Sequence, residues 1–280
     1  MSKISVLDVF LHGRPVGTIT HLPGDQTLFA FDEAYIEDQN RATLSLSFKD
    51  IYGGLLTGFR PVQTRVPPFF SNLLPEGALR RYLAGRAGIK EVREFPLLGI
   101  LGGDLPGAVV VRPADGEEWP DGPDHEHDED EEHAMRFSLA GVQLKFSALM
   151  GTRGGLTVPG SGAGGDWIIK LPSATYTGVP ENEYSMMELA GHVGIDVPEV
   201  KLIPVSEIGG LPSGVDEIGA DAFAIKRFDR GENGERIHIE DFAQIFGVFP
   251  DRKYEKANYR NLAEVIWTEI GASGVTEFVR

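Results

Sequence analysis

Between Pro113 and His133 the chain reads PADGEEWPDGPDHEHDEDEEH, with eleven acidic side chains and no Lys or Arg. So dense a run of like charge buries too little apolar area to offset its own ordering entropy. Residues 113–136 therefore read as a solvated, disordered linker. Residues 1–112 on one side and residues 137–280 on the other read as two units, either two domains or one domain with a substantial lobe. The tract also dominates the electrostatics, because the formal charge of −16 falls to about −5 once those eleven groups are set aside. Direct binding of so acidic a chain to DNA is not expected. His125, His127 and His133 lie in the tract, where no spacing suggests a fixed metal geometry and a hydrophilic linker is the plainer reading.

There are no cysteines, which excludes disulfides, thiolate zinc sites and cysteine nucleophiles. No apolar run approaches the ~18 residues of a membrane span. The N-terminal MSKISVLDVFLHGRPVG lacks the apolar block of a secretion signal, so a cytoplasmic protein with no membrane partner is expected.

Residues 1–112 read as a small α+β unit. A strand through Ile4–Leu11 turns at Gly13-Arg14-Pro15 into a hairpin partner, Val16–Thr20. Leu28–Phe31 and Ala42–Phe48 are further strand candidates. GALRRYLAGRAGI, after Pro75-Glu76, carries Leu79, Tyr82 and Leu83 on one helical stripe, and FPLLGILGGDLPG precedes a buried strand, Ala108–Val111.

In residues 137–280 the order is strand, strand, helix, strand. Phe137–Leu139 and Val142–Phe146 alternate around a turn at Ala140-Gly141, and Leu156–Val158 precedes a glycine-rich stretch and the strand Trp167–Pro172. In Glu181–Val193, Met186, Leu189, Ala190 and Val193 follow helical spacing, with Gly194 placed to close the helix. Pro198–Val205 and Ala222–Phe228 read as strands, Ile239–Gly247 and Asn261–Ile270 as helices. GSGAGG at 160–165 satisfies G-x-G-x-x-G, but the dinucleotide fingerprint needs a strand before it and a helix after it. Here a strand follows, so the run reads as a hairpin loop.

Lys170 stands out because it interrupts an apolar strand, WIIKLP, where a lysine must snorkel or find an anion. A glycine loop, a strand lysine and then a helix with an early glutamate is the protein-kinase layout, in which the lysine holds the α/β-phosphates and the glutamate orients it. Glu183 suits the second part, with Glu188 as its rival; a structural ion pair accounts equally well for any one of these residues. Upstream, Gly141 between Ala140 and Val142 allows backbone N–H groups to approach a phosphate, with Gln143 and Lys145 as side-chain donors and Ser138 at the mouth of the turn. AFAIKRFDR at 222–230 ends a strand beside a basic pair, an aromatic ring and Asp229, which could reach a ribose hydroxyl; an edge strand with a solvated turn is the alternative.

Taken in order, Ser138–Lys145, Trp167–Pro172, Asn182-Glu183-Tyr184, Lys226–Arg230, EDFAQIFG at 240–247, KYE at 253–255 and the LLGxLGGDxPGAV run at 97–109 resemble the HipA family of bacterial serine/threonine kinases, the toxins of toxin–antitoxin pairs. The resemblance implies an α+β protein: an N-terminal subdomain in 1–112, then a kinase-like N-lobe (an antiparallel sheet with one helix) and the start of a helical C-lobe in 137–280. It implies ATP and Mg²⁺ as cofactors. Ala140, Gly141, Val142, Gln143, Leu144 and Lys145 would cover the phosphates, Lys170 would bind them, and Lys226, Arg227, Phe228 and Asp229 would hold adenine and ribose. Ser138 would be an autophosphorylation site whose modification ejects the loop. The partners implied are a HipB-like helix-turn-helix antitoxin, a protein substrate in the translation machinery, and DNA only through the antitoxin.

The departure is in the catalytic loop. The family's H-G-D-x-H-x-K-N-like motif and following metal-binding Asp have no counterpart in these residues, which end at TEFVR, so no catalytic or metal-ligating residue is assigned within them. The expectation is a chain that stops before the catalytic lobe and does not phosphorylate proteins by itself. The alternatives are a non-catalytic module that binds an antitoxin or a separate kinase lobe, and an ATP-grasp-like ligase, for which the late carboxylate pair is missing.

Overall fold

The computed structural model describes residues 5–86, 88–114, 145–150, 156–157, 165–173, 176–211, 219–231 and 233–280. By contact they sort into two compact units, the first within Met1–Leu74, Val92–Pro120 and His238–Arg280, the second within Pro75–Glu91 and Asp121–Ile237.

The first unit is built on an antiparallel sheet in the order β4-β3-β2-β1-β5, from β1 (Val6–Leu11), β2 (Arg14–Leu22), β3 (Gln26–Phe31), β4 (Val62–Gln63) and β5 (Val109–Pro113). The alternation seen in sequence places Leu7, Val9 and Leu11 inward. Leu11 pairs with Arg14, so the β1–β2 turn is His12-Gly13, both at positive φ (48° and 74°). That is the turn whose twist matches a hairpin, and a glycine meets its second requirement without strain. Short helices α1 (Glu33–Glu37) and α2 (Pro68–Ser71) flank an aromatic cluster. Phe29 lies within 4.8–5.9 Å of the rings of Phe31, Phe48, Phe59 and Phe70, a geometry that adds about 0.5–1.5 kcal/mol per pair beyond burial.

Ala42–Phe48 is not a strand. Leu46–Phe48 form a 3-10 turn capped by Ser45, whose Oγ accepts from Ser47 N at 3.1 Å. The alternating Leu44, Leu46 and Phe48 imitate a strand, but the intervening serine hydrogen-bonds its own backbone, the usual competition between such side chains and sheet ladders.

Helix α3 (Gly77–Arg86) belongs to the second unit, where Leu79 packs on the core. Helix α4 (Glu94–Leu101), in the first, buries Phe95, Leu97 and Leu98. Its Glu94 is buried too, with Oε2 accepting from Val66 N at 3.0 Å and Oε1 from Ser71 Oγ at 2.9 Å. Nearby, Asp25 accepts from His21 Nε2 at 3.0 Å and Arg93 Nη2 at 2.8 Å, and these bonds hold its carboxyl below the ordinary value of 3.8. A depressed folded-state pKa contributes stability that is present above 3.8 and lost as the pH falls through the lower folded value. Asp25→Asn is therefore expected to cost about 0.5–1 kcal/mol at pH 7, the scale of a partly exposed pair, and progressively less in urea melts as the pH is lowered below 3.8.

The second unit is an antiparallel sheet in the order β7-β6-β8-β10-β9, from β6 (Lys145–Met150), β7 (Leu156–Thr157), β8 (Trp167–Lys170), β9 (Val200–Pro204) and β10 (Asp221–Lys226). One face carries the core of Ala148, Leu156, Trp167, Ile169, Ile203 and Ala224. Helix α5 (Val179–His192) packs against β9 and β10, and Gly194 closes it at φ 85°. Met186, Leu189 and Val193 of the periodic stripe are more than half exposed, Ala190 is half-buried, and it is Glu183 that reaches a sheet residue, Lys170.

β7 and β8 do not pair with each other. Both flank β6; the hairpin-loop reading of GSGAGG falls on residues outside those described, Gly165 excepted. Gly165 sits against the Ala148 backbone, where a Cβ would clash. The remainder of the run, like the turn at Ala140-Gly141 and the acidic tract, lies outside the described residues.

Residues 238–280 follow the second unit in sequence yet pack with the first. Helix α6 (Phe242–Ile245) opens on a capping box of Asp241 and Gln244, and Gln244 Nε2 donates to Phe69 O at 3.0 Å. Asn72 Nδ2 donates to Val248 O at 2.8 Å, and Arg65 pairs with Asp251 at 2.7 Å. Helices α7 (Lys253–Lys256), α8 (Tyr259–Glu269) and α9 (Ala272–Phe278) complete the chain, the last two packing on each other with Tyr259 beside Phe278. No helix among the described residues is long and apolar enough to cross a membrane.

Candidate functional site

Strand register puts Lys145 of β6 directly beside Lys170 of β8, and Lys170 beside Phe223 of β10. Cross-strand neighbours share a face, so two lysines stand side by side on the face opposite the Trp167–Ile169 core. Like charges in that relation repel unless an anion intervenes. Glu183 of α5 supplies one, because Lys170 Nζ lies 2.5 Å from Glu183 Oε2. The same Nζ sits 5.5 Å from the centre of the Phe223 ring, within cation–π range. A lysine inside an apolar strand is thereby held by a carboxylate and an aromatic face, with both charged groups about 30% exposed and able to meet a ligand. Of the two glutamates weighed in the sequence, Glu183 makes the contact and Glu188 is exposed.

The end of β10 is differently arranged. Lys226 N donates to Glu199 O at 2.8 Å and Arg227 N to Asp166 O at 2.7 Å, while Phe228 is 64% exposed. Asp229 is buried, its two oxygens taking a bidentate fork from Arg227 at 2.9 and 2.7 Å and a further bond from Arg230 Nη1 at 2.7 Å. Arg227 Nη1 also reaches Ser147 Oγ at 3.1 Å, tying this turn to β6. Asp229 thus clamps the strand end, and any ribose hydroxyl would share a carboxylate already bonded to two guanidinium groups. Sequence reasoning named Arg227 and Asp229 but missed Ser147. Its clue was its place two residues after Lys145 in an alternating strand, which puts both on one face.

Of the other residues named from sequence, Ser138, Ala140, Gly141, Val142, Gln143 and Leu144 lie outside the described residues, as do His125, His127 and His133. Among the described residues no group of three His, Asp or Glu is placed to hold a metal ion.

Residues 7–112 match the family model described as the HipA N-terminal domain, and residues 137–280 match the HipA-like C-terminal domain. A Sinorhizobium fredii protein named as a candidate kinase, Y4dM, is 57% identical over 282 residues, covering 100% of this chain and 69% of that protein. A second from the same organism, Y4mE, also named as a candidate kinase, is 32% identical over 90% of this chain and 61% of its own length. Among solved structures, the Shewanella oneidensis MR-1 complex of HipA, HipB and operator DNA contains a chain of the same fold, with a TM-score of 0.61 at 22% identity over 92% of this chain and 60% of that one. The chain therefore spans between 60% and 69% of the length of these relatives.

Proposed function

The chain belongs to the HipA family, and on that premise we propose that its second unit is the nucleotide-binding part of a serine/threonine protein kinase of the toxin class. The observation that carries this is the Lys170–Glu183 pair, a lysine on the third strand of the sheet held by a glutamate of the helix that follows. Protein kinases position the α/β-phosphates of ATP with that pairing. Lys170, fixed by Glu183, offers a directed cation to the phosphates, and Lys145 beside it extends the positive surface towards the Ala140–Leu144 turn. That turn would close over the phosphates through its backbone N–H groups and Gln143. Adenine would lie at the end of β10 near Phe228, where the Lys226 and Arg227 N–H groups already donate to Glu199 O and Asp166 O.

ATP would bring Mg²⁺, which neutralises charge on the phosphates during transfer. No counterpart of the family's catalytic and metal-binding motif is read in residues 1–280, which by themselves are proposed to bind nucleotide without transferring phosphate. Phosphorylation of Ser138 would add about −1.5 to −2 charge at the mouth of the turn, which would repel a bound nucleotide and expel the turn. The HipA chain of the Shewanella complex is seen with HipB and operator DNA. We extend to this protein a HipB-like antitoxin as partner, with DNA reached through it.

Calorimetric titration of ATP–Mg²⁺ into residues 1–280 tests the reading. A single saturable event with no phosphate appearing on protein is expected. No binding would favour the non-catalytic module, whereas phosphate transfer abolished by Lys170→Ala would overturn the proposed inactivity.

A further inference from the structure

The first unit contains a cavity of about 180 Å³ that the nucleotide reading does not use. It is formed by the chain between Tyr35 and Leu55, is partly open to solvent and has room for several waters. Its floor is apolar and fixed. Leu44 and Phe48 are buried there, and Tyr35 is held by donating its hydroxyl to Ala42 O at 2.6 Å.

Its charged lining is of one sign. Arg41 and Lys49 contribute to the wall, together with Gln39, Thr43 and Ser45, and among the described residues no carboxylate does. The Arg41 guanidinium is anchored rather than loose, since Nη1 donates to Ile36 O at 3.1 Å and Asp38 O at 3.0 Å, leaving the rest of its fork for another acceptor. The acids nearest in sequence are outside the lining and accept from their own turns. Asp38 Oδ1 accepts from Asn40 N at 2.8 Å, and Asp50 Oδ1 accepts from Tyr52 N and Gly54 N, both at 2.8 Å, so each is folded onto its own turn. Glu240, outside the lining, accepts from Leu46 N at 3.0 Å and interacts with Ser45 and Lys49 of the wall, and burial holds its carboxyl above the ordinary value of 4.5. In a chain of formal charge −16, a preformed hollow whose lining is cationic and hydroxylated is a local exception.

We infer that this cavity binds a small oxyanion, a carboxylate or phosphate group on a compact molecule, gripped between Arg41 and Lys49. Arg41 supplies the forked donor that suits either group, Lys49 adds a mobile charge at the rim, and Gln39 and Thr43 can complete the hydrogen bonds. The site is separate from Lys145 and Lys170 and stands whether or not the nucleotide reading does.

The test is amide-resolved NMR of the whole chain with inorganic phosphate and, separately, acetate. Saturable shifts confined to residues 39–55 are expected with at least one of them, and the better probe identifies the group recognised. Arg41→Gln and Lys49→Gln, both at surface-accessible positions, should each weaken that binding by about tenfold or more, the worth of one charge-assisted bond. The inference is overturned if neither anion shifts 39–55 saturably, or if both variants bind as the parent does. Phosphate shifts seen only around Lys145 and Lys170 would also overturn it, while supporting the nucleotide site.

Discussion

Asp229→Ala is expected to destabilise the second unit by about 3–5 kcal/mol, the usual consequence of removing one partner from a buried ion pair. The reason lies in the burial of Arg227, Asp229 and Arg230, whose side chains are 5–9% exposed. Taking away the Asp229 carboxylate removes an acceptor from two buried guanidinium groups, which keep their desolvation cost and lose the charge that separates them. Asp229→Asn should cost less, because the amide keeps one acceptor oxygen. The measurement is urea unfolding combined with hydrogen exchange. Protection should fall in β8 and β10, which this turn ties to β6, and persist in β1 to β3. Unfolding unchanged to within 1 kcal/mol would show that the clamp contributes nothing net. A triple variant with apolar residues of similar volume should recover much of the loss, since replacing a whole buried ionic group is often neutral.

The second large effect concerns the ligand rather than the fold. Lys170→Ala should weaken ATP–Mg²⁺ binding by about a hundredfold, since charged hydrogen bonds to phosphate contribute about 1.5–3 kcal/mol each and a lysine can make more than one. Glu183→Ala should cost about tenfold, because it removes only the group that holds the lysine. The double variant should bind about as poorly as Lys170→Ala alone, the non-additivity expected of residues that act through each other. Protein stability should move by less than about 1 kcal/mol in all three, because the pair is partly exposed. Glu188→Ala is the control, and an effect equal to that of Glu183→Ala would show the helix to be differently placed.

How far the sequence reaches is visible in these residues. The β1–β3 meander follows from period-two alternation and from turns that need positive φ, both local properties. Ala42–Phe48 shows the same alternation and fails as a strand, because whether Ser45 joins a ladder or caps a turn depends on the partner strand being there. The spacing of Met186, Leu189 and Val193 identifies a helix correctly but not which side meets the sheet; Glu183 reaching Lys170 goes with a different face inward. The order lysine, then helix glutamate, was legible because the chemistry fixes both residue types and their order along the chain. The Arg227–Asp229–Arg230 clamp was not, since KRFDR is as compatible with a solvated turn as with a buried knot until the surrounding strands are known. The return of residues 238–280 to the first unit was equally hidden, because its hydrogen bonds join positions as far apart as Phe69 and Gln244.

That return has a consequence for how the protein is made. The Phe69 carbonyl must wait for Gln244, 175 residues later, before it acquires its partner. On a ribosome adding about 5–20 residues per second, the interval is about ten to thirty-five seconds. Every strand of the second unit emerges within it, so that unit can close while the first is still missing a wall. The order of folding would then run against the order of the chain. The first unit would spend that time with its α2 side uncovered, when a ribosome-bound chaperone would find it most readily.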